Sequence, residues 1–269
     1  MYVQPKKALG QHFLKDQDIA QRIVEALAGF PLPEALSERQ GPTSVLEVGP
    51  GTGVLTQYLL QNPQIDLRAV ELDGESVDYL LLHFPALRPR LIQGDFLRMD
   101  LEQFFPEPFM LIGNFPYNIS SQIFFKVLEV RHKVPVVVGM LQKEVAERIA
   151  APPGSKTYGI LSVLLQAWYD IEYLFTVSES VFQPPPKVKS AVIRLVRNQT
   201  QSLPCSEVLF TKVVKTTFNQ RRKAIRNSIR PLTEGRALPA HPLFTQRPEQ
   251  LSVAQFTELT QLVENLTSN

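Results

Sequence analysis

Asn114, Phe115, Pro116 and Tyr117 form a run whose residue types suit the handling of an amine on a planar base. The Asn114 side-chain carbonyl can accept a hydrogen bond from an exocyclic amine. The residue before Pro116 is driven toward an extended conformation, which can aim main-chain carbonyls outward. The Tyr117 ring offers a face on which a base can stack. The same residue types also make an ordinary strand-to-helix turn, so the rest of the chain has to decide between the two. The run follows Phe109-Met110-Leu111-Ile112-Gly113, an apolar stretch that reads as a buried strand, and precedes Ile123 to Leu128, which reads as a helix. In an open α/β sheet, ligands bind just beyond the carboxyl ends of strands, so the run stands where chemistry is expected.

A second set lies upstream. Ser44 to Val48 reads as a strand and runs into Gly49-Pro50-Gly51-Thr52-Gly53. Glycines at such a turn let a ligand approach the main chain. A helix follows with Leu55, Tyr58 and Leu59 on its apolar face, and its N-terminus can receive a carboxylate or phosphate. The spacing is G-x-G-x-G, not the dinucleotide G-x-G-x-x-G, so the loop alone says little. Glu71 ends the second strand, Leu67 to Val70, and stands 20 residues after Gly51. A carboxylate there can accept from both hydroxyls of a ribose. Asp95, after the third strand, Arg90 to Gln93, can accept from an adenine amine. Singly, each acid would also serve as a helix cap or a solvated charge. As an ordered set on successive strand ends they point to a nucleoside-bearing ligand.

The elements that must position these residues alternate. Asp16 reads as an N-cap before a helix with Ile19, Ile23, Val24 and Leu27 on one face, and Pro31 to Pro42 reads as a loop. Further helices are expected around Val77 to Leu82, over Lys143 to Ala150 and over Tyr158 to Tyr169. Further strands are expected over Val134 to Leu141, Ile171 to Val177 and Ser190 to Val196, the last two joined through Phe182-Gln183-Pro184-Pro185-Pro186. Unalternating apolar strands separated by helices predict an α/β fold, a Rossmann-like, mostly parallel doubly wound sheet. Gln199 to Ser206 is polar and aperiodic. We therefore expect a first domain over residues 1–200 and a small all-α domain over 201–269, with helices at Val208 to Ser228 and Val253 to Leu266.

Net charge is only +2, but its distribution is uneven: Lys212 to Arg230 holds seven Lys or Arg and no acid, the pattern of a phosphate-binding surface. The single cysteine, Cys205, permits no disulfide within the chain and fits a reducing, cytoplasmic setting. The basic N-terminal stretch, Met1 to Gln11, has no apolar segment of a secretory signal, and the longest apolar run is too short to span a bilayer. No metal, no membrane and a monomer are expected.

Together these features resemble class I S-adenosylmethionine-dependent methyltransferases, narrowed by the Asn114 run to those acting on an exocyclic amine. Five more stretches, Leu9 to Leu14, Leu141 to Val145, Tyr158 to Ser162, Val181 to Val188 and Phe218 to Lys223, resemble in order the KsgA/Dim1 family of ribosomal RNA adenine dimethyltransferases. The resemblance runs from Lys6 to about Glu264. It implies transfer of four methyl groups from S-adenosylmethionine to N6 of two adjacent adenosines, in a hairpin loop near the 3′ end of small-subunit (16S) ribosomal RNA. It also implies a role in small-subunit biogenesis, with the RNA and the immature 30S particle as partners. By motif position it implies that His12, Leu14, Gly49, Gly51, Glu71, Asp95 and Asn114 contact the cosubstrate. The family commonly has Asn where this chain has His12, and Leu where it has Phe115; a His there brings pH dependence.

The expected catalytic set is Asn114, Pro116, Tyr117 and Phe182. Asn114 and a main-chain carbonyl near Phe115-Pro116 would grip N6. Tyr117 and Phe182 would stack on the base, Phe182 being stiffened by the three prolines beyond it or else an ordinary core residue. Lys6, Lys7, Arg221, Arg222, Lys223, Arg226 and Arg230 are the candidates for RNA phosphates, with Arg221 to Arg226 on one predicted helix; Lys143, Arg148 and Lys156 would extend that surface. Two other readings stay open: a large-subunit ribosomal RNA adenine methyltransferase, and an assembly checkpoint factor that binds RNA without catalysis. A nicotinamide-dependent oxidoreductase is disfavoured by the glycine spacing.

Overall fold

A computed structural model describes residues 3–30 and 41–267. Most of the loop read over Pro31 to Pro42, and the first two residues of the N-terminal stretch, lie outside them. The strands are β1 (Phe13–Leu14), β2 (Thr43–Val48), β3 (Ile65–Glu71), β4 (Leu91–Gln93), β5 (Met110–Asn114), β6 (Val136–Gln142), β7 (Tyr169–Val177), β8 (Phe182–Gln183) and β9 (Ser190–Arg197). The helices are α1 (Gln17–Glu25), α2 (Thr56–Gln61), α3 (Gly74–His83), α4 (Leu101–Phe104), α5 (Ser120–Glu129), α6 (Lys143–Ala150), α7 (Ile160–Gln166), α8 (Glu207–Phe218), α9 (Ile225–Ser228) and α10 (Val253–Thr267). No helix among the described residues is long and apolar enough to cross a membrane.

Seven strands form one sheet in the order β4-β3-β2-β5-β6-β9-β7. The pairs β3/β4, β2/β3, β2/β5 and β5/β6 are parallel, and β9 runs antiparallel to β6. The central strands are apolar on both faces because helices cover both: Val45, Leu46, Leu67, Leu111, Ile112 and Val136 to Val138 are wholly buried. Each such side chain stabilises the fold by about 1.5–3 kcal/mol through burial. The order reverses between β2 and β5. A crevice opens at such a switch point, beyond the carboxyl ends of the two strands. Gly49 follows β2 and Asn114 ends β5, so topology alone brings the two sequence motifs together.

The chain divides into two compact units. One comprises the residues up to Ala146 with Asp170–Arg197; the other comprises Glu147–Tyr169 with the residues from Asn198 on. This differs from a single cut near residue 200. In the second unit α7 packs on α8 and α10, and Tyr158 and Phe256 each set a ring against Phe218, at 6.1 and 5.8 Å between centroids. The apolar stretch 158–166 thus buries itself against the C-terminal helices, and no polar linker marks that change in the sequence.

Two other local readings change. The helix expected over Val208 to Ser228 stops at Phe218, and residues 219–224 form a turn before α9. Asn219 to Lys223 contains no apolar residue, so nothing there can hold a helix against the core. The stretch after Val177 contains β8, which pairs antiparallel with β1: Phe13 opposite Gln183 and Leu14 opposite Phe182. Two-residue strands carry no periodicity to read.

Candidate active site

The glycine turn is held in backbone conformations that side chains rarely adopt, with φ of 68° at Gly49 and 58° at Gly51. The Gly49 N–H donates to the Val70 carbonyl at 2.9 Å, which docks the turn on β3. A Cβ on Gly51 would lie 2.9 Å from the Phe13 ring, so that ring closes over the turn. A Cβ on Gly49 would lie 3.8 Å from Pro116. The turn and the tip of β5 therefore share one cleft, whose empty space out to its open mouth is about 1090 Å3. Helix α2 begins only at Thr56, so the donor next to the cleft's acid is the loop's own Gly51 N–H and not a helix terminus.

Glu71, 5% exposed, receives that N–H on Oε2 at 3.0 Å and the Asp73 N–H on Oε1 at 2.9 Å. Burial pushes its carboxyl above the ordinary value, and the backbone N–H groups of Asp73, Gly51 and Leu72 offset that only in part. Each oxygen keeps a lone pair for a further donor. Asp95 also lines the cleft. Its Oδ1 caps the next turn by accepting from Leu97 N at 3.0 Å, and its Oδ2 lies 3.4 Å from Arg98 Nε. The cap read as an alternative for Asp95 is present alongside its place in the cleft.

Phe115 points inward, 1% exposed, and its ring lies against Gly113 of β5 and Gly139 of β6, a pair in register. No larger residue fits at either glycine: a Cβ would come within 2.8 and 2.4 Å of that ring. Alternation along an extended chain then leaves Asn114 and Pro116 toward the cleft. The Asn114 Nδ2 donates to the His12 carbonyl at 2.9 Å, which turns the amide so that Oδ1 is the free acceptor. The Pro116 carbonyl accepts from Ile119 N at 3.2 Å, leaving the Phe115 carbonyl as the main-chain acceptor at the tip. The Tyr117 hydroxyl is bonded to Ser190 Oγ, and its ring sits 5.2 Å from the His12 ring at 31°. Burial pushes that hydroxyl up, so Tyr117 is no base near neutral pH.

Several expected site residues lie elsewhere. Phe182 is 1% exposed within the core beside Leu14, so it offers no stacking face; β1/β8 pairing fixes it there. Leu14 is itself buried at 3% but reaches the cleft wall. The His12 ring donates through Nδ1 to the Pro184 carbonyl at 2.8 Å, so the proline run anchors the N-terminal segment instead of clamping a base. Lys6 is held by Asp73 and by Glu75, the latter at 3.1 Å, and is not free for a phosphate. Arg221 is half-buried, donating to the Ser155 carbonyl at 3.4 Å and lying 4.0 Å from Glu249. Lys7, Arg222, Lys223, Arg226 and Arg230 are exposed.

Two cleft residues escaped sequence reasoning. Leu72, directly after Glu71, is 52% exposed and lines the cleft, a flat apolar surface beside the acid. Glu47, 1% exposed on β2, accepts from Thr56 Oγ1 at 2.7 Å, and burial pushes its carboxyl up to about 8. An acid inside an apolar strand was the available signal.

The sequence matches the family described as ribosomal RNA adenine dimethylase over residues 3–265. A ribosomal RNA small subunit methyltransferase A of Parabacteroides distasonis is 63% identical, with 96% of this chain and 93% of that protein covered. The protein of the same name from Cytophaga hutchinsonii is 56% identical, covering 97% and 98%. Among solved structures, a dimethyladenosine transferase from Plasmodium falciparum superposes with a TM-score of 0.73 at 23% identity over 95% of this chain and 98% of that one, a likeness of fold. With its family match extending over nearly all of its length, the chain belongs to the ribosomal RNA adenine dimethylase family.

Proposed function

We propose that this chain transfers methyl groups from S-adenosylmethionine to N6 of two adjacent adenosines in small-subunit ribosomal RNA, two to each, within an immature subunit. The observation that carries the reading is the Asn114 amide, turned by the His12 carbonyl so that Oδ1 faces the cleft beside the glycine turn.

The residues present fit the methyl donor. Gly51 leaves room at the turn that a Cβ would fill, Glu71 keeps acceptors for ribose hydroxyls, and Leu72 gives an apolar plate for a base. When bound, the sulfonium supplies an already activated methyl group. What the protein must add is mainly placement, an effect worth up to about 7–11 kcal/mol. Adenine N6 is a poor nucleophile because its lone pair is delocalised into the ring. Asn114 Oδ1 and the Phe115 carbonyl accept hydrogen bonds from N6–H, two before the first methyl and one before the second, and favour a pyramidal nitrogen with a directed lone pair; the proton displaced from N6 at each transfer leaves to water. Tyr117 stacks on the base with its ring, its hydroxyl fixed by Ser190. A base in an RNA loop must turn outward to reach this cleft. Lys7, Arg222, Lys223 and Arg226 hold phosphates, which position the RNA without reading its sequence.

The test is mass mapping of adenosines after incubation with S-adenosylmethionine and immature small subunits. Two neighbouring dimethylated adenosines are expected; an unmodified small-subunit RNA, or methylation only of large-subunit RNA, would refute the reading.

A further inference from the structure

The C-terminal unit carries a second concavity, whose empty space out to its open mouth is about 1080 Å3. Its wall holds Arg226 on α9, Arg230 on the turn Arg230–Leu232, and Arg236 on the loop beyond. Ile229 between the first two keeps helical backbone, so Arg226 and Arg230, four residues apart, project from one face. Both are exposed, and among the described residues neither is paired with a carboxylate. Like charges so placed destabilise a helix, and no acid from Lys212 to Arg230 offsets them. Arg236 is held in place: one guanidinium nitrogen lies 3.7 Å from Glu234 and another donates to the Leu266 carbonyl. His241 on the same wall is already paired with Glu258 at 3.3 Å. The concavity thus combines one anchored guanidinium with two unpartnered ones.

We propose that this pocket takes a phosphodiester of the RNA backbone, a discrete site apart from the exposed turn at Arg222 and Lys223. A guanidinium fork matches two phosphate oxygens. RNA is favoured over an acidic protein segment because the pocket closes an acid-free basic run, which suits a polymer of regularly spaced charges. The proposal rests on the RNA-directed reading above and gives it a location in the C-terminal unit.

Wild type, Arg226→Gln/Arg230→Gln and Arg226→Lys/Arg230→Lys should be compared for binding to protein-free small-subunit ribosomal RNA across a salt series, each checked for folding by thermal melting. The slope of log affinity against log salt should become shallower by about one in the Gln pair. The Lys pair should keep the wild-type slope, and affinity for S-adenosylmethionine should not move in either. An unchanged slope in the Gln pair overturns the pocket while leaving methyl transfer by the wild type, and so the functional reading, intact. If wild type binds the RNA but transfers no methyl, the functional reading fails and the slopes still decide the pocket. Weakened binding confined to intact immature subunits, with protein-free RNA unaffected, would assign the pocket to an acidic protein surface and overturn the proposal.

Discussion

Replacing Asn114 by Ala separates the chemistry of the cleft from its scaffolding. The side chain makes one protein bond, Nδ2 to the His12 carbonyl at 2.9 Å, and presents Oδ1 to the incoming amine. Removing it first deletes an acceptor aimed at a nitrogen that changes shape in the transition state. Loss of one comparably preorganised group elsewhere costs about 2.7–4 kcal/mol, a fall of about 10²–10³ in turnover. Removing it also strands the His12 carbonyl, at about 1–3 kcal/mol of stability if water does not replace the donor. At roughly 2–4 °C per kcal/mol for a chain of this size, melting should drop by several degrees. Glu71 and Gly51 keep their mutual bond, so calorimetric affinity for S-adenosylmethionine should change far less than turnover. Asn114→Asp is the shape-matched control: it keeps an acceptor but sets an anionic oxygen against the His12 carbonyl, so it should lose both stability and turnover. The reasoning is refuted if cosubstrate affinity falls by the same factor as turnover. It is equally refuted if Asn114→Ala stays within about fivefold of wild type at a temperature where both are folded.

Gly51→Ala must force a φ of 58° on a residue with a Cβ and push that atom to 2.9 Å from Phe13; about 1–3 kcal/mol of strain and at least about tenfold weaker cosubstrate binding should be seen by calorimetry. Tyr117→Phe keeps the ring and loses only the Ser190 bond, about 1 kcal/mol of stability. Tyr117→Ala should lose a further ~1–3 kcal/mol of stacking, read as a raised KM for RNA. Glu47 takes up a proton on folding, because its carboxyl moves from 4.5 to about 8. Its favourable share of stability is therefore complete below about pH 4.5 and is lost as pH rises to about 8, so Glu47→Gln should flatten the fall in melting temperature across that window.

The sheet was legible because its signal is local and strong. Apolar runs ending in Gly49, Glu71, Asp95 and Asn114 gave both the strands and the ends at which ligands bind. The pairing of the glycine turn with the β5 tip followed from the switch-point rule, and the 3.8 Å that would separate a Cβ on Gly49 from Pro116 agrees with it. Where pattern gave no periodicity, reading failed. The two-residue ladder of β1 and β8 decides that Phe182 is core, yet Phe182-Gln183-Pro184 looks from sequence like any stiff loop. The turn at 219–224 was hidden because Phe210, Val213, Val214 and Ile225 suit one continuous helical pattern, and only the absence of apolar residues between Asn219 and Lys223 argues for a break.

Charge was the least transferable signal, because it gives what a side chain can pair with and not which partner is nearer. Lys6 lies in a basic stretch, but its partner Asp73 is 67 residues away, and the Asp73 N–H binds Glu71, which in turn binds Gly51. Twelve residues into the chain, the His12 carbonyl orients Asn114 from 102 residues off. The N-terminal segment thus braces both halves of the cleft, the acid that suits a ribose and the amide that suits an amine. Lys6 is consumed in that bracing, whereas Lys7 stays exposed. On the proposed reading, electrostatic contact with RNA falls largely to Arg222 and Lys223, exposed in the stretch from Asn219 to Lys223 that has neither acids nor apolar residues to occupy them.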